Sequence, residues 1–529
     1  MKKRFNYIFI VLFIFFFIGV IFPIISLLGS LDLNTFSELI ESIQFKEALF
    51  NSLTVTLIST IISIFISYIL AYTICRTNIK RRAFITVLLT LPMLIPSISH
   101  GLGLINLFGK NGIITNFLNI NFDIIGFNGI VFGSVLYSFP VAFLMFIDAF
   151  NYVDNSMYET CEVLGLSKFQ TFRKVTFYYL KKPLLSAIFA VFTLIFTDYG
   201  VPLAVGGRYM TLPLFLYREV IGLLDFSKGT FIGMFLLIPA LISFLIDIVT
   251  KDKSNMNFIN KDYVVKDNGI IHIILKIITY IIIIFLFILF GSFLYLCIIE
   301  RYPYNTNLSF KHFEYVLDRG IIYTIFNSLF IAICTSIIGT IIAYTSAYFV
   351  NRMESKYKKI IHILIIITLA IPGIVLGLAY MLSFKNTFIY RSYIILIIVN
   401  IIHFIASPYL IAYNALGKIN KNYETIGMTC GIPKFRIIKD VIIPNSLDTI
   451  LEMLSYLFVN SMVTISAVTF LFSVDTMPLS LLINQYEGQL MYEEAAIISL
   501  TILFLNLIVK GSVYLIKRYR YNKLRGTIC

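Results

Sequence analysis

The run YIFIVLFIFFFIGVIFPIISLL at 7–28 contains no charged residue and exceeds the roughly 20 apolar residues that cross a bilayer as one helix. Stretches of the same character recur along the chain. Twelve spans are expected, at roughly 7–29, 52–75, 84–107, 129–150, 184–204, 229–249, 271–298, 321–350, 360–383, 391–416, 446–472 and 495–516. Charged residues make up only 13% of the chain, against about a quarter in soluble proteins. The expectation is therefore an all-α, polytopic membrane protein. MKKRFN is a suitable start for a secretory signal, but the run after it is too long for a signal core and lacks a clear cleavage site. We read it as a retained helix.

The net charge of +14 raises the question of nucleic acid, and the placement of the cations answers it. With the N-terminus inside, thirty Lys and Arg fall in the segments on the cytoplasmic side and ten on the other, counting Arg391 at the outer edge of its span. That is the positive-inside bias, which places both termini in the cytoplasm of a prokaryotic cell membrane and predicts lipid, not nucleic acid, as the charge partner. The six cysteines (Cys75, Cys161, Cys297, Cys334, Cys430 and Cys529) show no CxxC or other metal-type spacing and read as small apolar residues. His100 and His403 stand alone on apolar helices and are expected to be satisfied interior groups.

The chain repeats itself. FNSL at 50–53 returns at 326–329, AYTICR at 71–76 as AYFVNR at 347–352, and Pro96 with Gly101 as Pro372 with Gly377, all at an offset of 276. A second set matches at an offset of 266, so the first half carries about ten extra residues, most simply in the outer loop near 108–128. Residues 1–249 form a first six-helix repeat, 250–270 a polar cytoplasmic linker and 271–529 a second repeat in the same orientation. Parallel repeats of this kind occur among transporters.

The 266 set includes a polar interruption. YETCEVLGLSKFQTFRKV (158–175) and YETIGMTCGIPKFRIIKDV (423–441) pair Gly165 with Gly431, Lys168 with Lys434 and Phe169 with Phe435, on the cytoplasmic side. These stretches resemble the signature of ABC importer permeases: Glu-Ala-Ala, three residues, Gly, then a basic and apolar tail ending in Pro. Glu159 stands six residues before Gly165, with Thr160 and Cys161 in place of the alanines and Tyr178 in place of the proline. The second copy has Gly431 and Pro444, but its Glu424 lies seven residues before the glycine, a shift of about 100° around a helix.

The resemblance implies a type I ABC importer permease fold in which Glu159, Gly165, Glu424, Gly431 and Pro444 belong to short helices that dock on a cytoplasmic ATPase. A sharp turn there suits glycine. The following cations (Lys168, Arg173 and Lys174; Lys434, Arg436 and Lys439) face a partner's acidic groups or serve only as topology signals. YEEAA at 492–496 is a decoy, since Leu500 replaces the glycine and the segment falls on the outer face.

No GxxxxGK[ST] is present to wrap nucleotide phosphates. The chain is thus read as a transport subunit, not an enzyme, with no catalytic or metal-binding residues and no cofactor of its own. ATP and Mg belong to the partner, expected as two copies of the ATPase, together with an extracytoplasmic solute-binding protein. Polar groups within spans mark a possible translocation pathway: Asp198, and Asn460, Ser461 and Thr464. Asp198 and Thr464 are equivalent at the 266 offset. Hydrogen bonds that merely hold the bundle are the alternative.

The fused layout resembles permeases for ferric iron, thiamine and 2-aminoethylphosphonate. FTDYGVP, REVIG and FVNSMVTISAVTFL look most like the phosphonate branch. A secondary transporter leaves the paired docking stretches unexplained, and a membrane enzyme needs clustered acids or histidines that the spans lack.

Overall fold

The computed structural model describes residues 2–119, 123–151, 153–250, 269–353 and 355–526. All twelve expected spans are helical within it, and eight are continuous: Tyr7–Gly29, Ile43–Arg76, Phe127–Asn151, Phe169–Phe196, Phe226–Thr250, Ile270–Cys297, Ile321–Arg352 and Tyr492–Lys523. Three more are bent pairs: Lys358–Ala370 with Gly373–Phe384, Tyr393–Phe404 with Ala406–Lys418, and Lys434–Asn445 with Leu447–Val463. The third span is in pieces (Arg82–Leu89, Leu91–Leu94 and Ser97–Phe108). Most of the expected linker, 251–268, lies outside the described residues.

Proline explains where the third span of each half breaks. Pro96 and Pro372 directly precede the helices Ser97–Phe108 and Gly373–Phe384. Proline removes a backbone donor and pushes the residue before it out of the helical region. Ile95 (φ −121°, ψ 152°) and Ile371 (φ −100°, ψ 113°) are accordingly extended, and the second-half break bends the chain by 111°. Apolarity alone predicted one helix at 84–107 and one at 360–383. The fifth span of each half also stops short of its expected end. Helix Tyr178–Phe196 gives way at Thr197–Tyr199 to the short helix Gly200–Val205, and Leu447–Val463 gives way to turns.

The repeated glycines let these broken segments meet. A side chain at Gly101 would stand 2.6 Å from Ala204 Cβ, and one at Gly377 would stand 2.8 Å from the Ala467 carbonyl oxygen. The halves also interlock. The Tyr380 hydroxyl donates to the Gly19 carbonyl at 2.7 Å, so the first span lies on the second half. The seventh span answers it on the first half, with Leu289 and Phe293 against Gly103. Ser99 and Ser499 hydroxyls lie 2.8 Å apart, and the pair at equivalent positions, Val375 and Gly233, is also in contact.

Outside the spans, sequence periodicity missed three elements. An amphipathic helix, Leu33–Glu41, is capped by Asp32. An antiparallel hairpin pairs Ile299–Arg301 with Asn305–Leu308 and leads into the helix Lys311–Asp318. Glu493 and Glu494 of the decoy motif hold this region, through Tyr302 N (3.1 Å) and His312 Nδ1 (2.8 Å). Burial disfavours a charged His312, but its bonds to Glu494 and to the Glu300 carbonyl outweigh that and raise its pKa.

The repeated FNSL has a physical role. Ser52 Oγ accepts from Leu212 N at 2.6 Å, and Ser328 Oγ accepts from Leu479 N at 2.6 Å, each at the start of a short helix beyond the broken fifth span. Asn51 donates to the Met210 carbonyl (3.0 Å), and Asn327 to the equivalent Met477 carbonyl (3.4 Å) and to that of Asp475 (2.9 Å). The Tyr393 hydroxyl also donates to Asn327. Removing one partner from a buried bond costs about 1–3 kcal/mol. Asn327→Ala should therefore lower the melting temperature of the purified protein more than Asn51→Ala, which breaks one bond instead of three. Equal shifts would remove the second-half clamp from this account.

Candidate translocation cavity and docking helices

A cavity of about 370 Å³ lies between the halves. The first half contributes Tyr137, one face of Tyr178–Phe196 from Ser186 to Leu194, about 12 Å along a helix, and Thr197 and Asp198 beyond its end. The second half contributes the break at Ile371–Gly373, His403 and Ser466. Asp198 also lines a small void toward Ser52 and Thr211, and it is the residue common to both spaces. Its Oδ2 accepts from Val201 N at 3.0 Å, so it caps the short helix as well as facing the cavity.

The other pathway candidates lie elsewhere. Asn460 turns back onto the Tyr456 carbonyl (2.8 Å), Ser461 is buried without a hydrogen-bond partner, and the Thr464 carbonyl accepts from Ser480 Oγ (2.7 Å). None of these three residues lines the cavity. Ser466, beyond the helix end, is the residue that reaches the cavity. His403 was expected to be satisfied, yet its Nδ1 has no partner, and neither has Nε2 of the fully buried His100. His403 ends the helix Tyr393–Phe404 at a bend of 53°, a break that an apolar window does not reveal.

A reciprocal pair holds the cavity wall. A Cβ added to Gly200 would stand 2.2 Å from Ser97 Oγ, and one added to Gly373 would stand 2.3 Å from Ser466 Oγ. Gly200 and Ser466 are equivalent at the 266 offset, and Ser97 and Gly373 at 276. Each half thus places one serine against one glycine, with the roles exchanged.

The two polar stretches form helices of matching design. Asn155–Val163 and Asn422–Thr429 both end on a left-handed glycine, Gly165 at φ 68° and Gly431 at φ 73°. Leu166 N reaches back to the Cys161 carbonyl and Ile432 N to the Gly427 carbonyl, with Gly165 N on Glu162 and Gly431 N on Met428. This pair of bonds is a Schellman stop. A π-turn follows in each copy, Phe172–Phe177 and Ile438–Ile442, and Pro444 lies in the first turn after the second. Large apolar side chains stay uncovered, among them Val163 (88% exposed), Phe169 (73%) and Phe435 (77%).

The two glutamates are not equivalent. Glu159 is exposed and accepts from Asn155 Nδ2 at 2.7 Å. Glu424 turns inward to an ion pair with Arg352 (3.2 Å) and accepts from the Tyr348 hydroxyl (2.7 Å). Its positional counterpart is Tyr158, whose ring lies 5.4 Å from the guanidinium of Arg76, the counterpart of Arg352. The one-residue shift read in the sequence thus sets a carboxylate beside the arginine of one half where the other half has the Tyr158 ring.

Residues 63–302 and 335–520 match the sequence profile of the binding-protein-dependent transport system inner membrane component family. The chain belongs to this family. A putative ferric transport system permease protein of Haemophilus influenzae is 28% identical over 424 residues, which cover 76% of this chain and 66% of that protein. The ferric transport system permease protein of Actinobacillus pleuropneumoniae is 26% identical over 419 residues, covering 75% and 60%. The chain thus spans less than two thirds of the length of either ferric permease. A thiamine transport system permease protein of Brucella suis is 25% identical over 146 residues, covering 26% of this chain and 27% of that protein.

Because only a side-chain hydroxyl opposes a Cβ at 373 most closely, the clash is relievable. Gly373→Ala should destabilise the purified permease by about 1–3 kcal/mol, the range for overpacking, and Ser466→Gly should recover part of that loss. Failure of the second substitution to recover any thermal stability would show that the neighbouring His403 ring, 3.0 Å from the added Cβ, is the true obstacle.

Proposed function

We propose that this family member is the permease subunit of an ABC importer, served by two copies of a cytoplasmic ATPase and an extracytoplasmic solute-binding protein. One feature carries the reading: the paired helices that end on Gly165 and Gly431 and leave apolar side chains uncovered. An uncovered apolar patch on the water side of a membrane protein calls for a protein partner. In this reading both termini and both docking helices are cytoplasmic. Gly165, Gly431 and Pro444 shape the docking surface, Glu159 faces the partner, and Glu424 anchors its helix to the transmembrane body through Arg352. Closure of the ATPases on ATP and Mg moves the docking helices, and the Tyr178–Phe196 and Leu447–Val463 helices carry that motion to the cavity. Asp198 sits where the cavity meets the outer clamp and acts as the polar step of the pathway.

Ferric iron is the cargo this reading favours. Both longer-matching relatives are named as ferric permeases. The cavity offers a carboxylate, an imidazole and a phenol, the hard oxygen and nitrogen groups that suit a hard cation. Among the described lining residues none is Lys or Arg, and a carboxylate there repels an anionic phosphonate. The 2-aminoethylphosphonate reading of FTDYGVP draws no support from the relatives named above.

Two experiments test this. A β-branched residue at a left-handed position costs at least about 1–2 kcal/mol, so Gly165→Val with Gly431→Val should release the ATPase from affinity-purified permease while leaving membrane abundance unchanged. Retention of the ATPase would falsify the docking assignment. Cells lacking the chain should lose uptake of labelled ferric iron and keep uptake of thiamine and 2-aminoethylphosphonate. Loss of thiamine or phosphonate uptake instead would keep the importer and reassign its cargo. Asp198→Asn should cut uptake about tenfold, the worth of one charge-assisted bond, at constant abundance. A parallel fall in abundance would reduce Asp198 to a helix cap.

A further inference from the structure

The two halves treat one polar pair differently. In the second half, Ser336 Oγ donates to the Leu454 carbonyl at 2.8 Å, and the Tyr344 and Ser446 hydroxyls lie 2.7 Å apart. These bonds close the helix Leu447–Val463 onto Ile321–Arg352. The counterparts in the first half are Thr60 and Tyr68 on Ile43–Arg76, facing Ile188 and Leu180 on Tyr178–Phe196. Neither bond forms there. The Thr60 and Tyr68 hydroxyls are buried without a partner, and a groove of about 540 Å³ with apolar walls separates them from Leu180 and Ile188.

Leu180 in place of Ser446 removes the partner of the tyrosine, and the π-turn sets Phe172 and Phe177 along the groove's cytoplasmic end. Thr60 has the option of turning back onto a carbonyl of its own helix. Tyr68 has none. The groove is more than three times the ~150 Å³ of an apolar cavity that takes up benzene. It opens beside Ile61 and Phe65, which are 68% and 66% exposed on a membrane-spanning helix and so face lipid. Its cytoplasmic rim differs in charge between the halves. Arg173, Lys174, Lys181 and Lys182 adjoin the lining residues Phe172 and Leu180, whereas the corresponding positions in the second half hold Lys439, Asp440, Leu447 and Asp448.

We infer that this groove is a binding site for one acyl chain of an anionic phospholipid. The ester region takes up the Tyr68 hydroxyl, and Arg173, Lys174 and Lys181 hold the headgroup. The lipid occupies the gap that the second half closes with its own side chains. It thereby props open the helix that runs from the first docking helix to Asp198.

The test uses the full chain in nanodiscs of phosphatidylcholine doped with phosphatidylglycerol that carries a photoreactive acyl chain. After irradiation, adducts are mapped by peptide mass spectrometry. Adducts should fall at least fivefold more often on 60–68 and 180–188 than on 336–344 and 446–454. Excess unlabelled phosphatidylglycerol should compete for them, and phosphatidylcholine should not. Leu180→Ser, which restores the second-half hydrogen bond, should close the groove and lower labelling toward the second-half level. Equal labelling of both halves overturns the site, and equal competition by both lipids overturns the headgroup assignment. Labelling of Leu180→Ser at the wild-type level overturns the role given to the missing bond.

Discussion

A bilayer interior offers no water to satisfy a free backbone group, so a chain that breaks its helices there must supply the missing hydrogen bonds itself. This protein breaks its helices at matching places in both halves: before Pro96 and Pro372, and beyond Phe196 and Val463. Side chains carry the cost beyond the fifth helices. Asp198 caps the stub after the first-half fifth helix, and Ser480 bonds the Thr464 carbonyl after the second. Ser52 and Ser328 cap the helices farther out, and Asn51 and Asn327 hold the preceding carbonyls. These polar contacts meet the backbone where it is irregular, and the cavity borders the same breaks. Architecture and cavity follow from the same requirement.

Much of this was legible in the sequence, for reasons that also mark the limits. Apolar runs reveal spans because lipid tolerates little else, and the offsets of 276 and 266 expose the duplication because they align polar residues against an apolar background. Pro96 and Pro372 were visible, but a hydropathy window averages over a bend, so the broken third spans read as straight. The helix at Leu33–Glu41 and the hairpin at 299–308 lie outside the spans, where apolarity carries no signal. Asp198 stood out as a lone acid within a span. Ser466 and His403 did not, because their place on the cavity depends on how the chain turns after Val463 and Phe404. The matched glycines at 165 and 431 announced a left-handed turn, since that conformation excludes most other residues.

The duplication is most informative where it fails. At the joint between second span and docking helix, the first half sets Arg76 against the rings of Phe150 and Tyr158, and the second sets Arg352 against the Glu424 carboxylate. A buried ion pair loses about 3–5 kcal/mol when one partner is removed, so Glu424 is a strong tie between its helix and the second span of its half. The last span adds to this, with Lys517 and Arg520 paired to Glu452 and Asp448 at the foot of Leu447–Val463.

The same asymmetry runs up to the cavity. In the second half, Ser336 and Tyr344 tie the fifth helix to the second span; in the first, a groove separates them. The acid at the cavity end of the fifth helix also belongs to the first half alone, since Thr464 stands opposite Asp198. Two equivalent motors acting on the two docking helices would therefore meet unequal loads. The second half would move as a braced block, and the first would yield along Tyr178–Phe196, the helix that carries Asp198. In the proposed import cycle, duplication would supply two handles for the motor, and divergence would assign the moving polar step to one of them.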